Sequence, residues 1–413
     1  MSKGAWRNMN IRERYLATFR FEPCPRTPRW EMGYWAAAIQ RWYEEGLPGT
    51  QQAMRAKEPY GEWVAGPGQA PAAGENVSGR DRDVAAYFNM DKGALAVPVN
   101  STVYPLYETV VLEETDEYIV TRGADGVTYK NLKVHCKESM PLWLDYPVHN
   151  RKEWEKFKAE RYQPNLNDRL PHDWNELLEN YCQRDFPLCL GSGFTGFFGT
   201  ARQILGVELT LTTFYDDPAW MHDIMDYLAD FYVTLYDGVL SQIKVDCALH
   251  WEDMCYVAGP LISPRTFAEF MIKPYKKMTS LLRDHGVDII LVDTDGDCRL
   301  LIPLFLEGGV TAMLPFEVQS HMDVADIRCE YPLLGLQGGI DKKALIAGKE
   351  AIDRELEKRV PVVLGGGYIP HVDHGVPPDV SWENFCYYRH KLDAMLDEYD
   401  AQRWQASRGH SAP

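Results

Sequence analysis

From Phe186 to Tyr399 short apolar runs alternate with amphipathic stretches, and this rhythm restricts the possible folds more than any other property of the 413 residues. Residues 187–192, 246–251, 288–292, 312–315, 333–336 and 360–364 are apolar runs of strand length. Between and after them lie stretches with helical periodicity: 217–243, a segment opening at Ser263, 298–307, 322–330, 341–358 and 382–399. Two of these helices mark their own starts, with Asp217 before Pro218 and Ser263 before Pro264, a capping side chain followed by proline in the first turn. Strand, helix, strand, helix over so long a stretch calls for a parallel sheet with right-handed crossovers. So many units predict a closed barrel rather than an open sheet.

The first half reads differently. Residues 11–19 predict a helix, and 29–35 a strand after the Pro23/Pro25 punctuation. Within 102–133, the β-rich runs 108–112, 118–122 and 127–132 are separated by turns such as Ala124-Asp125-Gly126, which predicts a small antiparallel β insertion at about 100–145. The stretch 161–173, with two prolines, reads as a linker across the surface. The expectation is therefore an α/β protein: one (β/α)8 TIM-type barrel domain over 1–400 carrying that insertion, and a polar tail at 401–413.

Composition narrows the function. A net charge of −17 argues against a chain whose main work is neutralising nucleic-acid phosphates or coating anionic lipid. No stretch reaches the roughly 18 uninterrupted apolar residues of a membrane span. The first ten residues have no apolar run behind their basic residues, so a cytoplasmic protein is expected. The nine cysteines are odd in number, scattered and never in a CxxC pair, which suits buried thiols in a reducing compartment and provides no thiolate zinc box.

Barrel enzymes carry their reacting groups at the C-terminal ends of strands. Here those ends read His250-Trp251-Glu252-Asp253, Asp293-Thr294-Asp295-Gly296-Asp297, Pro315-Phe316-Glu317, Gly338-Gly339-Ile340-Asp341, and a last run that contains His371, Asp373 and His374. Taken singly, each has an ordinary reading: Asp297 and Asp341 suit helix N-caps, and His371 to His374 suit a turn that satisfies its own backbone. Together, five ends crowd like charges on one rim, which calls for raised pKa values, a metal or a cationic substrate. Asp293, Asp295, His371 and His374 offer the oxygen and nitrogen ligands that zinc or another divalent ion accepts. Glu252 and Asp253 are neighbours and cannot both face the barrel axis, so one is the acid or base and the other structural.

Ser263-Pro264-Arg265, Asp295-Gly296, Glu307-Gly308-Gly309 followed by Pro315-Phe316-Glu317, Gly338-Gly339-Ile340-Asp341, and the glycine-led run from Gly365 to Asn384 together resemble the uroporphyrinogen decarboxylase superfamily. The resemblance covers about 186–392 and is fainter before, at residues 25–31. It implies a single (β/α)8 barrel with its cleft at the strand C-termini. The superfamily holds two activities. Its porphyrinogen decarboxylases bind substrate acetates through an arginine-rich segment after the first strand, and the matching residues here, Met32-Gly33-Tyr34-Trp35-Ala36-Ala37, contain no arginine. Its corrinoid-dependent methyltransferases move a methyl group between a small substrate or thiol and a corrinoid on a partner protein. The thiol-methylating members hold zinc through a strand-end HxC and a later Cys. Those positions fall on Asp293-Thr294-Asp295 and near Gly367 or Tyr368, without thiolates.

The resemblance thus implies transfer of a methyl group from a small methylated donor, an aryl methyl ether or a methylated amine, to cob(I)alamin carried by a partner corrinoid protein. The alternative is a lyase or decarboxylase acting on another small acid. In the implied site His250, Glu252, Asp295 and His371 supply a proton or ligate metal, and Asp293, Asp295 and His374 are the metal ligands. Trp30, Tyr34, Trp35, Phe194 and Tyr368 stack an aromatic donor or cage an amine, with Glu317 and Asp341 completing the substrate site. Neither nucleic acid nor a membrane is an expected partner, and a homodimer is left open.

Overall fold

Five of the six apolar runs of the second half stand side by side in one sheet. The computed structural model describes residues 9–49, 63–64, 82–133, 140–191 and 195–409. Among these, seven parallel strands follow chain order across the sheet: Leu95–Ala96, Leu188–Leu190, Cys247–Trp251, Ile289–Asp293, Ala312–Leu314, Gly335–Gln337 and Tyr368–Ile369. Registers such as Cys189 with Cys247, Leu291 with Ala312 and Leu336 with Tyr368 hold neighbouring strands level, so their C-terminal ends open on one edge.

The segment 29–35 touches both ends of this sheet. Arg29 O accepts from Asp91 N at 2.8 Å, just ahead of the first parallel strand, while Trp35 N donates to Val376 O at 3.1 Å, just beyond the last. Of the expected strand only Tyr34–Trp35 has strand geometry, paired antiparallel with Trp63–Val64.

Side chains alternate along each strand with period two. Cys189, Cys247, Leu249, Leu291, Leu314 and Ile369 pack with Trp30 and Tyr15 on one face. Ala248, Ile290, Val292, Met313, Leu336 and Tyr368 pack against the helices on the other. The helix Pro218–Leu240 shows why these elements form where they do. The Asp217 carboxylate accepts from Trp220 N at 3.1 Å, and a stripe including Met221, Ile224, Met225 and Leu228 is buried. At about 1.5–3 kcal/mol per fully buried large side chain, the stripe outweighs a cap worth about 1 kcal/mol. Ser263 caps Pro264–Phe270 in the same way, accepting from Thr266 N at 3.1 Å.

Three expectations need correction. Residues 360–364 are not a strand but the last turns of the helix Lys349–Gly365, despite Pro361. The buried positions Ile352, Glu355, Leu356, Arg359, Val362 and Val363 follow helical spacing, and the buried pair Arg359–Glu355, at 2.7 Å, ties one turn to the next. β-branched residues favour strands only where packing agrees, and the strand at this position is Tyr368–Ile369 instead. The stretch 161–173 is not a surface linker throughout: it contains the helix Leu166–Arg169, and Arg169 is buried. Its guanidinium donates to Gln163 O, Asn100 O and Thr102 O at 2.7, 2.9 and 2.6 Å, tying this helix to the start of the insertion. Finally, the helix Trp382–Gly409 runs well into the stretch expected to be a polar tail.

The insertion forms a four-stranded antiparallel sheet of Val110–Glu114, Tyr118–Arg122, Thr128–Leu132 and Leu142–Asp145. Among the described residues, no helix is long and apolar enough to cross a membrane.

Candidate active site

The strand C-termini bring three half-buried side chains together. Asp295, Glu317 and His374 each offer one ligand atom, and these atoms all lie within 4.8 Å of one another. His374 Nε2 is 3.4 Å from Asp295 Oδ2. The backbone N–H of Gly296 at 3.1 Å and the Ser320 hydroxyl at 3.4 Å both donate to Glu317 Oε2, which aims the carboxylate. Lys342 Nζ sits 3.5 Å from its other oxygen. Gly296 makes this turn possible: its φ is +76°, and a Cβ there would lie 2.5 Å from the Cys255 carbonyl.

Electrostatics divide the group into unlike members. Burial opposes charge on His374, but the adjacent Asp295 carboxylate overrides it and raises the imidazole pKa. Burial likewise pushes Asp295 up, and the hydrogen bond and charge of His374 bring it below the usual carboxylate range. Asp293 is the opposite case: burial first, then repulsion from Asp295, raise it well above the ordinary value. Without a metal, its neutral form is thus favoured where Asp295 and His374 favour charge.

Two carboxylates and an imidazole make a nitrogen–oxygen donor set that fits zinc or a similar divalent ion. Cys255 is the neighbouring sulfur, but burial pushes its thiol up to about 12, and it is not part of the cluster. Glu317, expected to contact substrate, stands among the candidate ligands; Asp293, expected to be a ligand, stands next to them.

The other expected site residues fall into three places. Asp253, not Glu252, faces the rim: its φ is +40°, and its carboxylate pairs with Arg202 at 2.6 Å. Glu252 turns away and is fully buried. Its oxygens accept from Phe197 N at 2.9 Å, from Gly199 N at 2.8 Å and from the Tyr275 hydroxyl, pinning the start of the helix Phe198–Leu205. His250 lies between sheet and helices, its ring 6.3 Å from the Tyr236 ring and both its nitrogens buried. Tyr34 and Tyr368 also pack in that outer layer, Tyr34 against Trp42 and Phe385, and Tyr368 with its hydroxyl on Gly338 O at 2.7 Å. These three side chains are thus placed on the helix side of the sheet, away from the cleft. Trp35 is half-buried and packs against the same apolar cluster. Asp341 caps Lys342–Ala347, accepting from Lys343 N and from Gln319 Nε2 at 2.8 Å each. Phe194 lies outside the described residues.

Trp30 and His371 point inward. Trp30 lines a cavity of about 40 Å³ with Tyr15, Leu249, Leu291, Leu314 and Gln337. His371 is buried in the strand-end run, two residues beyond the inward-facing Ile369. The structure adds residues that the sequence did not mark. Arg202 stacks 4.9 Å above the Trp251 ring while it holds Asp253. Lys342 lies 3.8 Å from the buried Asp373 as well as near Glu317. Glu31 accepts from Val372 N, Tyr388 and Arg389 at 2.9, 3.0 and 2.7 Å. Arg202 could not have been found by reading strand ends, because it reaches the rim from a helix.

Fold and site define a parallel α/β protein with a cluster of hard metal donors at its strand C-termini. The chain belongs to the uroporphyrinogen decarboxylase (URO-D) family, whose sequence profile matches residues 137–391. It is 30% identical over 116 residues to "Uroporphyrinogen decarboxylase" of Maricaulis maris, covering 28% of this chain and 33% of that one. It is 27% identical over 199 residues to the protein of the same name from Serratia proteamaculans, covering 45% and 51%. The chain therefore matches about half the length of these curated relatives or less. A solved structure described as a methyltransferase from Methanosarcina mazei aligns with a TM-score of 0.56 at 14% identity, over 95% of this chain and 99% of that one, and shares the fold.

Proposed function

We propose that this chain is a corrinoid-dependent methyltransferase that moves a methyl group from a small methylated donor, an aryl methyl ether or a methylated amine, to cob(I)alamin on a partner corrinoid protein. The observation that carries the reading is the cluster of Asp295, Glu317 and His374. An alkoxide, phenoxide or amine leaves poorly, and a divalent ion such as zinc held by these three groups supplies Lewis-acid activation of the leaving atom. The remaining work belongs to the chain. Asp293, buried beside Asp295, is the group this reading places to exchange a proton with the leaving atom. Asp253 and Arg202 wall the rim, Lys342 balances Glu317 and Asp373, and Glu252 positions the helix that carries Arg202.

The same reading takes the segment 29–35 as the eighth staff of a (β/α)8 barrel, a single domain over 1–400 acting in the cytoplasm. It rejects uroporphyrinogen as substrate, since the segment 32–37 offers no guanidinium for its acetates. A lyase acting on another small acid is the second reading. It draws on the decarboxylase names of the curated relatives and on Arg202 and Lys342 as carboxylate partners.

The test is to produce the protein anaerobically, measure its metal content and mix it with cob(I)alamin and a panel of methyl ethers and methylated amines. Loss of the cob(I)alamin absorbance band with one donor class is the expected result. No loss with any donor, even with corrinoid protein supplied, together with CO₂ release from a small acid, would replace this reading with the lyase.

A further inference from the structure

One buried carboxylate joins the turns that follow the last three parallel strands. Asp373 is fully buried. Its Oδ2 accepts from Val318 N at 3.0 Å, in the turn after Ala312–Leu314, and its Oδ1 accepts from Lys342 N at 3.2 Å, in the turn after Gly335–Gln337. Its own N–H donates to Ile340 O at 2.8 Å, so the turn after Tyr368–Ile369 is fastened to the middle one at a second point.

These bonds end next to the candidate ligands. Val318 follows Glu317, and Asp373 itself precedes His374. Lys342 carries the third link, with Nζ 3.5 Å from Glu317 Oε1 and 3.8 Å from Asp373 Oδ1. Asp373 is not one of the three clustered groups, so it acts on them only through the backbone and through its charge. The charge is a separate observation. A neutral side-chain oxygen could accept from the same N–H groups, and burying a carboxylate costs more than burying a neutral acceptor. The cation paired with it, Lys342 Nζ, stands beyond hydrogen-bond distance. A divalent ion among Asp295, Glu317 and His374 would offset that cost, which is the usual setting of a carboxylate placed behind metal ligands.

We propose that Asp373 is the positioning residue of the ion site: it holds Glu317 and His374 at ligand spacing before an ion arrives and sets a negative charge behind them. This rests on the Asp295, Glu317 and His374 cluster being an ion site, and it holds whichever reaction that ion serves. Partners one shell out from the ligands are worth about 10–100-fold in metal affinity.

The experiment titrates the metal-free, full-length protein with Co(II), reads the visible absorption bands of the bound ion, and repeats the titration with zinc against a chelator. The wild type should bind one ion. Affinity should be about tenfold weaker in Asp373→Asn, which keeps one acceptor oxygen and turns an NH₂ toward the other donor, and weaker again in Asp373→Ala, with shifted Co(II) bands in both. Asp400→Asn is the control for a merely structural effect. That carboxylate is also buried and accepts from a backbone N–H and a hydroxyl, at 2.6 and 2.7 Å, but both belong to Thr27 and not to a rim turn. Its Co(II) affinity and bands should match the wild type even where its melting temperature falls as far as that of Asp373→Asn. Circular dichroism checks that each variant is folded, and Asp373→Asn decides alone if Asp373→Ala is not. Unchanged affinity and bands in Asp373→Asn, or an equal loss in Asp400→Asn, would overturn the positioning role and leave the ion site standing. A wild type that binds neither ion would overturn both. Affinity that depends on Asp373 without methyl transfer to cob(I)alamin would keep the positioning role and defeat the methyltransferase reading.

Discussion

Removing the Glu252 side chain should cost stability before it costs chemistry. The carboxylate is fully buried and serves three donors: Phe197 N, Gly199 N and the Tyr275 hydroxyl. Glu252→Ala leaves all three in a place water does not reach, at about 1–3 kcal/mol each. Burial raises the pKa of Glu252, so part of what the wild-type carboxylate contributes is offset by its own desolvation. The lower half of the range then applies, a loss of about 3–6 kcal/mol. Glu252→Gln keeps one acceptor but turns an amide NH₂ toward another donor, a loss of about 2 kcal/mol. Tyr275→Phe removes one neutral donor at about 1 kcal/mol, and the double variant Glu252→Ala/Tyr275→Phe should lose less than the sum, because no hydroxyl is stranded. Urea unfolding followed by circular dichroism measures all four, while metal per folded chain stays at the wild-type level because Asp295, Glu317 and His374 are untouched. If Glu252→Ala unfolds within 1 kcal/mol of wild type, a limit set from the single hydrogen-bond scale, the pinning role is refuted. If Glu252→Gln then also abolishes turnover, Glu252 belongs with the acids and bases.

The remaining predictions concern the cluster, a buried imidazole and the floor of the cleft. Zinc content by mass spectrometry should be one ion per wild-type chain and fall at least tenfold in Asp295→Asn and His374→Ala; full occupancy in both variants would show that the ion sits elsewhere. Burial lowers the pKa of His250 from 6.5 to about 4, so between those values the unfolded chain binds a proton that the native chain refuses. Stability is therefore fully present above pH ~6.5 and falls as pH drops toward 4, by about 2 kcal/mol between pH 7 and 5 from this residue. His250→Phe should flatten that part of the stability profile, and an unchanged slope would rule out His250 as its source. Glu31→Ala, which breaks a fully buried pair with Arg389, should destabilise by about 3–5 kcal/mol in a denaturant melt. A loss under 1 kcal/mol would mean that Asp393, 2.8 Å from the same guanidinium, suffices alone.

Much of the frame was legible in the sequence because strand and helix periods differ and the caps are local. Asp217 and Ser263 mark their helices in a few residues each, and the structure has both bonds. The misplaced site residues share one physical origin: a side chain's direction depends on strand parity and on exactly where a strand ends, and a run of apolar residues fixes neither to within one position. One residue is the difference between Asp253 on the rim and Glu252 in the helix layer, or between Ile369 on the inner face of the sheet and Tyr368 on the outer. Asp295 and His374 could be picked as candidate ligands from residue type alone. Glu317 could not be separated from a substrate contact, because its place beside them depends on a turn that follows Pro315 and on the Gly296 backbone. Residues 360–364 misled because their composition is strand-like while their burial is helical.

The contacts that seat Glu31 also set an order of assembly. Its partners Val372, Tyr388 and Arg389 lie 341 to 358 positions further along the chain, and Thr27 bonds Asp400 across 373. During synthesis the parallel strands from Leu95 to Gln337 can pair with their neighbours as each emerges, whereas the segment 29–35 must wait for the last helix to leave the ribosome. Until then a nascent chain exposes Trp30 and an unpaired sheet edge, a surface open to aggregation or to a chaperone. The cleft floor is therefore the last part of the molecule to become native.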